Sequence, residues 1–299
     1  MKAVIFGGSG FLGSYVIDEL MSRGWEVVCA DKQIPRFTPH VRFISVDITQ
    51  LDQVQSAIPE DCDVVYNFAG LADINLAKDQ PLKVIELNIL GNTNILEACR
   101  SLPKLQRFVF ASSAYAFSEK GSFYGISKLS AEKIIEEYGV QYQLPYTILR
   151  YGSLYGERAD VHNGVFRLIN QALKDRKIIY RGSGEEVREY IHCRDAAKLS
   201  VDILSSEFLN QHVVLTGLEK HKYKDLLTML QEIFNHEIEI EYKHEPYSGH
   251  YTVTPYSFRP IIGTKLINNP YIDLGQGLLE CITCLHQQLQ EEAEGVDGR

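Results

Sequence analysis

The chain has 299 residues, 45% hydrophobic and 23% charged, which is enough for one large globular domain or two intimate ones. The formal net charge of −9 is spread along the sequence without a basic run, which argues against a nucleic-acid partner. No apolar run approaches a membrane span, and the N-terminus enters a buried-strand pattern without a signal peptide, so we expect a cytoplasmic protein without a membrane partner.

Up to about residue 151, short apolar runs alternate with segments of helical length. The runs are AVIF, EVVCAD, RFISVD, DVVYNFAG, RFVFASS and YTILRYG. Runs as continuously apolar as these are typical of strands covered on both faces. The alternation therefore predicts an α/β fold, a doubly wound parallel sheet of the Rossmann type.

After Gly156 the sequence changes to longer helices and irregular loops, which indicates a smaller, mixed C-terminal lobe. The segments AAKLSVDILSS and QHVVLTG nevertheless resemble one more helix and strand of the first type. We therefore expect a discontinuous Rossmann domain at 1–155 plus about 186–217. The second lobe would comprise about 156–185 plus 218–290, followed by a flexible tail at 291–299.

The turn after the first predicted strand carries Gly7, Gly10 and Gly13 in GGSGFLG, directly before an amphipathic helix. Glycines at this place allow a tight turn and let a pyrophosphate approach the backbone at the helix N-terminus. A purely structural glycine-rich turn is the alternative. The position between the first strand and the first helix favours dinucleotide binding.

Asp31 ends the second predicted strand, where a carboxylate can accept hydrogen bonds from both adenosine ribose hydroxyls. This favours NAD over NADP, whose 2′-phosphate would meet a negative charge. Lys32 and Arg36 follow closely and weaken the distinction. Asp47, after the third strand, either contacts the adenine amino group or only caps the strand end.

Tyr124 and Lys128 stand one helical turn apart in GSFYGISKLSAEK. The apolar stripe of this predicted helix consists of Tyr124, Lys128, Ala131, Ile135 and Tyr138. The residues off the stripe are Glu132, Lys133, Glu136 and Glu137. A lysine on the core-facing side needs a partner or a task, because burying an unpaired ammonium is costly. An incidental surface pair at i and i+4 is the alternative.

Ser112 and Ser113 end the strand RFVFASS, at the edge where parallel sheets present ligands. A tyrosine with a free pKa of about 10 is a poor base at pH 7. A neighbouring ammonium and the positive charge of an oxidised nicotinamide would stabilise its phenolate. The pattern therefore predicts a strand-end serine, a tyrosine base and a lysine facing a dinucleotide.

Over about residues 1–265, the chain resembles the extended short-chain dehydrogenase/reductases, in particular the NAD-dependent nucleotide-sugar epimerase/dehydratase family with its UDP-glucose 4-epimerase-like members. The motifs that carry the resemblance are GGSGFLG, Asp31, VDIT, NFAG, ELNILGNTNILEAC, the two serines, YGISK, LRYGSLYG and VREYIHCRDAA.

The resemblance implies that Tyr124 is the acid/base, that Lys128 binds the nicotinamide ribose, and that Ser113 binds the sugar hydroxyl. The implied cofactor set is Gly7, Gly10, Phe11, Leu12, Gly13, Asp31, Lys32, Asp47, Ile48, Phe68, Ala69, Gly70, Asn88, Tyr124, Lys128 and Tyr151. The implied substrate set is Ser113, Tyr124, Ser153, Asn163, Val165, Arg188 and Arg259. In the second set, Asn163 and the two arginines would hold the nucleotide diphosphate. A surface ion pair with Glu185 or Glu189 is the alternative for Arg188.

The resemblance further implies epimerisation of a nucleotide-diphosphate sugar at C4, with NAD recycled. A nucleotide-sugar 4-ketoreductase using NAD(P)H and a non-catalytic NAD-binding regulator are the alternatives. Dehydratases of the family carry an Asp-Glu pair where Ala114 and Tyr115 stand here, so we expect no dehydration unless Glu119 moves in. Ser153 and Ile262 stand where the family usually has Asn and Asp. These replacements affect which sugar and which nucleotide base are bound, and not the hydride chemistry.

Ile126, Leu129 and the stem of Lys133 form a second apolar edge on the catalytic helix, and VIELNILGNTNILEAC has more apolar residues than one buried face needs. We therefore expect a homodimer with a four-helix interface. Cys281 and Cys284 are predicted to be core residues, and no metal site is expected, because no second pair supplies further ligands.

Overall fold

The computed structural model describes residues 1–118, 120–243, 252 and 264–297, without the side chains of 293–297. The strands are β1 (Lys2–Phe6), β2 (Glu26–Asp31), β3 (Arg42–Ser45), β4 (Val64–Asn67), β5 (Arg107–Ser113), β6 (Tyr146–Tyr151), β7 (Ser153–Tyr155), β8 (Lys177–Arg181), β9 (Val187–Arg188), β10 (Tyr190–His192), β11 (Gln211–Leu215), β12 (His221–Lys222), β13 (Glu239–Lys243) and β14 (Thr264–Leu266). The α-helices are α1 (Phe11–Ser22), α2 (Leu51–Ala57), α3 (Ile74–Asp79), α4 (Pro81–Val84), α5 (Asn92–Cys99), α6 (Ser122–Tyr142), α7 (Gly164–Asp175), α8 (Cys193–Asp202), α9 (Tyr223–Ile233) and α10 (Leu274–Asp297). A π-helical segment, Ile85–Gly91, joins α4 to α5, and short 3₁₀ turns occupy Ala114–Phe117 and Ser206–Phe208.

Eight of the described strands form one parallel sheet in the order β14-β11-β6-β5-β4-β1-β2-β3. Successive residues of β1 point to opposite sides, with Ala3 and Ile5 packing under α1 and α8, and Val4 and Phe6 packing under α2, α5 and α6. Both faces of the central strands are therefore covered, which explains why these strands are mostly apolar. The predicted doubly wound Rossmann sheet is confirmed.

The strand order reverses at β1, whose neighbours are β2 on one side and β4 on the other. In open α/β sheets, ligands bind outside the carboxyl ends of the strands at such a reversal. The glycine-rich turn after β1 and the serines at the end of β5 both lie at this edge of the sheet.

A separate apolar core joins α7, β8, α9 and α10. There, β13 pairs in parallel with β8, while β7 pairs with β10 and β12 with β9. Cys281 is buried in this core and Cys284 is half-buried. No helix among the described residues is both long and apolar enough to cross a membrane.

Two elements differ from the sequence-based expectation. β14 comes from the stretch assigned to the substrate lobe, yet it pairs with β11 and completes the central sheet. α10 continues to Asp297, so residues 291–297 are helical rather than the flexible tail expected. Glutamate and alanine form helices readily, and Leu289, two residues before this stretch, still packs on the core.

Candidate active site

The glycine-rich turn leaves no room for side chains. Gly7 has φ +77°, and a Cβ on it would lie 2.5 Å from the Ala69 amide nitrogen. A Cβ on Gly13 would lie 2.2 Å from the Gly7 carbonyl oxygen. α1 then begins at Phe11 after Gly10, whose lack of a side chain leaves the first-turn N–H groups to other acceptors. This cradle of backbone amides fits the pyrophosphate of a dinucleotide.

Asp31 lies at the end of β2, next to this cradle. Its two carboxylate oxygens accept hydrogen bonds from the amide nitrogens of Ser9 and Gln33, each at 3.0 Å. These bonds fix the carboxylate at the turn, and each oxygen has a second lone pair that can accept from a hydroxyl. The position fits recognition of a ribose.

Asp47 and Lys32 contact each other at the same edge. The Lys32 ammonium lies 2.8 Å from an Asp47 oxygen, and the other oxygen accepts from the amide and hydroxyl of Thr49. Burial alone would raise the pKa of Asp47, but the hydrogen bonds from Lys32 and Thr49 lower it below its ordinary value. The strand-end cap is therefore present, and the charge of Lys32 is engaged by Asp47.

Asn88 lies in the π-helical segment and connects two parts of the site. Its amide oxygen accepts from the Leu71 amide at 2.7 Å, and its amide nitrogen donates to the Leu71 carbonyl and to the Ser127 hydroxyl. Ser127 in turn donates to the Tyr124 carbonyl at 2.8 Å. Gly70 passes directly over Asn88, and a Cβ there would lie 2.6 Å from its oxygen. Asn88 thus holds the loop after β4 against α6.

Ser113, Tyr124 and Lys128 come together at the edge of β5. Ser113 is the last residue of the strand, and Tyr124 and Lys128 are buried on α6, which packs against β5. The Lys128 ammonium donates to the Ala111 carbonyl at 2.7 Å. It lies 5.8 Å from the centroid of the Tyr124 ring and 4.8 Å from that of Phe110. The lysine therefore has both the buried position and the neighbouring phenol predicted from the sequence.

Glu132, one turn beyond Lys128, is 1% exposed, although the helical periodicity placed it off the buried stripe. It accepts hydrogen bonds from Arg150 Nε at 3.0 Å and Nη2 at 2.8 Å, and from the Ser112 hydroxyl. His212 Nδ1 lies 2.5 Å from the same guanidinium. The expectation that Glu132 is off the buried face is wrong, because Arg150 and Ser112 replace its hydration.

This network affects two pKa values. Burial lowers the pKa of Lys128 to about 8, although the charge of Glu132 partly opposes the effect. Burial, followed by repulsion from Arg150 and Lys133, lowers the pKa of His212 to about 3. His212 is therefore neutral at pH 7.

The residues expected to hold the substrate have mixed surroundings. Asn163 caps α7, accepting from the amides of Val165 and Phe166 at 3.0 and 3.1 Å. Tyr151, expected to bind the cofactor, is buried, and its hydroxyl lies 2.6 Å from that of Ser200 on α8. Ser153, in β7, is half-buried.

Arg188 is 5% exposed and donates to the Val187 carbonyl, so it is not the surface side chain of the alternative interpretation. Glu185, one of the partners considered for it, binds Lys222 and Lys224 instead, each at 2.6 Å. Arg259, Glu119 and Ile262 lie outside the described residues.

A group with metal-like spacing, missed in the sequence, is formed by Glu157, His192 and Glu280. Arg194 donates to both carboxylates, with 2.8 Å to Glu157, and so places a guanidinium between them. His192 Nδ1 accepts from the Arg194 amide at 3.2 Å. The group is an ion-pair cluster that joins α8 to α10.

Comparison with known proteins now adds to this geometry. Residues 3–215 match the model of the NAD dependent epimerase/dehydratase family. The chain belongs to this family. The predictions of an enzyme of this type and of NAD as its cofactor are confirmed.

Among family relatives, a putative UDP-glucose 4-epimerase of Methanocaldococcus jannaschii is 29% identical, covering 79% of this chain and 82% of its own. A UDP-N-acetyl-alpha-D-glucosaminuronate decarboxylase of Bacillus cytotoxicus is 28% identical, covering 74% and 76%. The fold is similar to that of the UDP-glucuronic acid 4-epimerase of Bacillus cereus, solved with UDP-glucuronic acid and NAD. That similarity, a TM-score of 0.83 at 24% identity, covers 96% of this chain and 100% of the other.

Proposed function

We propose that the protein is an NAD-dependent epimerase that inverts C4 of a nucleotide-diphosphate sugar through a keto-sugar. The observation that carries this proposal is the buried Tyr124 and Lys128 pair on α6, beside Ser113 and at the same sheet edge as the glycine cradle. NAD, when bound, supplies the acceptor and donor of the hydride.

Tyr124 takes the proton of the C4 hydroxyl while C4 is oxidised, and returns a proton when the ketone is reduced from the other side. The Ser113 hydroxyl, at the end of β5, binds the same sugar oxygen and keeps it near the phenol. Because the proton returns from Tyr124 and the hydride returns to C4, neither the residue nor the cofactor is consumed in a turnover.

Lys128 favours the phenolate of Tyr124. An ammonium 5.8 Å from the ring centroid stabilises the anionic form of the phenol and thus makes it a better base. The burial that lowers the pKa of Lys128 also leaves its charge weakly screened by water, so the interaction is stronger than on a surface. The bond to Ala111 aims the ammonium along β5.

The nucleotide diphosphate is proposed to lie between the NAD-binding lobe, 1–155 plus about 186–217 with β14, and the substrate-binding lobe, about 156–185 plus the rest of 218–290. Support comes from the N-terminus of α7, which Asn163 caps, and from the buried guanidinium of Arg188. A helix N-terminus and an arginine both favour a phosphate.

Tyr124→Phe tests the proposal. We expect the variant to keep its fold and NAD content but to lose turnover by about 10²-fold or more, since general acid–base catalysis contributes about 10²–10⁴. Tyr142→Phe, an exposed tyrosine on the same helix, is the matched control and should leave turnover unchanged. Equal turnover rates in the two variants would show that Tyr124 is not the acid/base. A wild-type protein that turns over no nucleotide sugar would favour the alternative of a non-catalytic NAD-binding regulator.

The product should have the mass of the substrate. Dehydration needs a further acid and base near the far end of the sugar, and Ala114 and Tyr115 provide no carboxylate at the positions following Ser113. Detection of a 4-keto-6-deoxy sugar by mass spectrometry would overturn this part of the proposal.

The protein is further proposed to be a homodimer. Four apolar side chains are exposed on α4, the π-helical segment and α6, which contact one another. They are Leu82 (82% exposed), Ile85, Phe123 and Ile126 (61% exposed). Ile126→Glu should convert the dimer to a monomer in light scattering. The control Met21→Glu, on α1 across the sheet, should not, and a monomeric wild type at micromolar concentration would refute the assembly.

A further inference from the structure

Tyr115 lies against both groups that are proposed to bind the reacting hydroxyl. Its amide nitrogen donates to the Ser113 hydroxyl oxygen at 3.3 Å. Its ring meets the Tyr124 ring edge-on, with centroids 6.1 Å apart and planes at 70°. A substituent on a sugar carbon next to C4 would therefore lie close to the Tyr115 ring.

The backbone is shaped to hold this ring in place. Gly121 has φ +93°, and a Cβ on it would lie 2.6 Å from Tyr115 Cδ1. Gly125, in the first turn of α6, lies so close that a Cβ there would be 3.0 Å from the Tyr115 carbonyl. Two glycines thus let α6 start directly against Tyr115, and the ring cannot retreat towards the helix without a clash.

The ring also belongs to an apolar wall. It packs on a cluster that consists of Leu71, Ala77, Val84 and Tyr124, with Leu76 and Leu87 alongside. An apolar wall provides no counter-charge to a carboxylate and takes away part of its hydration, which is costly. A hydroxymethyl group or a hydrogen in the same place carries no charge, so the loss of hydration there would cost little.

We propose that Tyr115 determines sugar specificity by forming the wall of the pocket beside C4 and selecting a neutral, small substituent over a carboxylate. The inference rests on the proposed epimerase function and deepens it. The preferred substrates are nucleotide-diphosphate sugars with a hydroxymethyl group or hydrogen at C5, rather than uronates. Tyr115 acts on the ratio between substrates, whereas Ser113 and Tyr124 act on the reaction itself.

The test compares kcat/KM for UDP-glucose and UDP-glucuronic acid in the wild type, Tyr115→Ala and Tyr115→Phe. Wild type should prefer UDP-glucose by about 10-fold or more, and Tyr115→Ala should narrow that ratio about 10-fold, because one misplaced group in a pocket changes discrimination about 10–200-fold. Tyr115→Phe keeps the ring and should keep the ratio. Melting temperature and NAD content establish that each variant is folded.

An unchanged ratio in Tyr115→Ala, or a wild type that prefers the uronate, would overturn the role of Tyr115 while leaving the epimerase intact. If neither of these two sugars were turned over, the epimerase proposal would be decided by a wider panel of nucleotide sugars. The Kd ratio of the two sugars, measured by calorimetry in the same variants, would then decide the selectivity of the wall. A narrowed Kd ratio in Tyr115→Ala supports it and an unchanged one refutes it.

Discussion

Replacing Glu132 by glutamine probes how the catalytic helix is fixed to the sheet. Glu132 binds Ser112 on β5 and Arg150 on β6, and it lies one turn beyond Lys128 on α6. The same carboxylate therefore ties the helix that carries Tyr124 to the strand that ends in Ser113. We expect the substitution to destabilise the protein far more than a surface change would.

The magnitude follows from the contacts. Glutamine keeps one acceptor oxygen, and its amide group would turn N–H donors towards the donors of Arg150, which is itself buried. Removing one partner of a buried ion pair costs about 3–5 kcal/mol, because the remaining charge is left without compensation. Proteins are commonly stable by about 5–15 kcal/mol, so the variant should fold with a clearly lowered stability.

Urea unfolding followed by circular dichroism measures the difference. The matched control is Glu137→Gln, which removes the same charge from an exposed position on the same helix and should change stability by less than about 0.5 kcal/mol. If the urea midpoints of Glu132→Gln and Glu137→Gln were equal, Glu132 would not fix α6 to the sheet.

Three further predictions concern charge. Because the folded protein lowers the pKa of His212 to about 3 from 6.5, the unfolded state binds the proton more readily. The contribution of His212 to the free energy of unfolding is then complete above pH 6.5 and falls by about 1.4 kcal/mol per pH unit towards pH 3. A His212→Asn variant whose free energy of unfolding fell equally steeply between pH 6.5 and pH 3 would contradict the assignment. Lys128→Met should weaken NAD binding and move the pH profile of activity to higher pH, since the ammonium no longer favours the phenolate of Tyr124. An unchanged pH profile would show that Lys128 does not stabilise this phenolate. Asp31→Ser should raise the affinity for NADP relative to NAD about 10-fold in titrations. An unaltered ratio of the two affinities would show that Asp31 does not bind the adenosine ribose.

Local patterns account for what the sequence predicts well. The glycine turn depends on residues at most six positions apart, and the Tyr124 and Lys128 pair depends on one helical turn, so both patterns are visible in the local sequence. The apolar runs identify strands β1, β2, β4, β5 and β6 because these strands are covered on both faces, whereas the edge strand β3 is only partly buried.

Non-local contacts account for what the sequence does not predict. Glu132 is buried because Arg150, on a different strand, binds it, and periodicity contains no information about that partner. An arginine inside the apolar run YTILRYG was a usable signal, since a buried guanidinium requires an acceptor. β14 has three residues, too few for a recognisable period, and its place in the sheet depends on β11.

The most direct test of the proposed epimerase uses the purified protein without added cofactor, incubated in D₂O with a panel of UDP-sugars and followed by NMR. The account predicts a product of unchanged mass, inverted at C4, in which C4 keeps its original hydrogen, because the hydride returns to the carbon it left. Oxidation of added NAD(P)H by a 4-keto nucleotide sugar, without inversion of any UDP-sugar, would establish the ketoreductase instead. Deuterium at C4, or no inversion of any sugar in the panel, would contradict the mechanism assigned to Tyr124, Lys128 and Ser113.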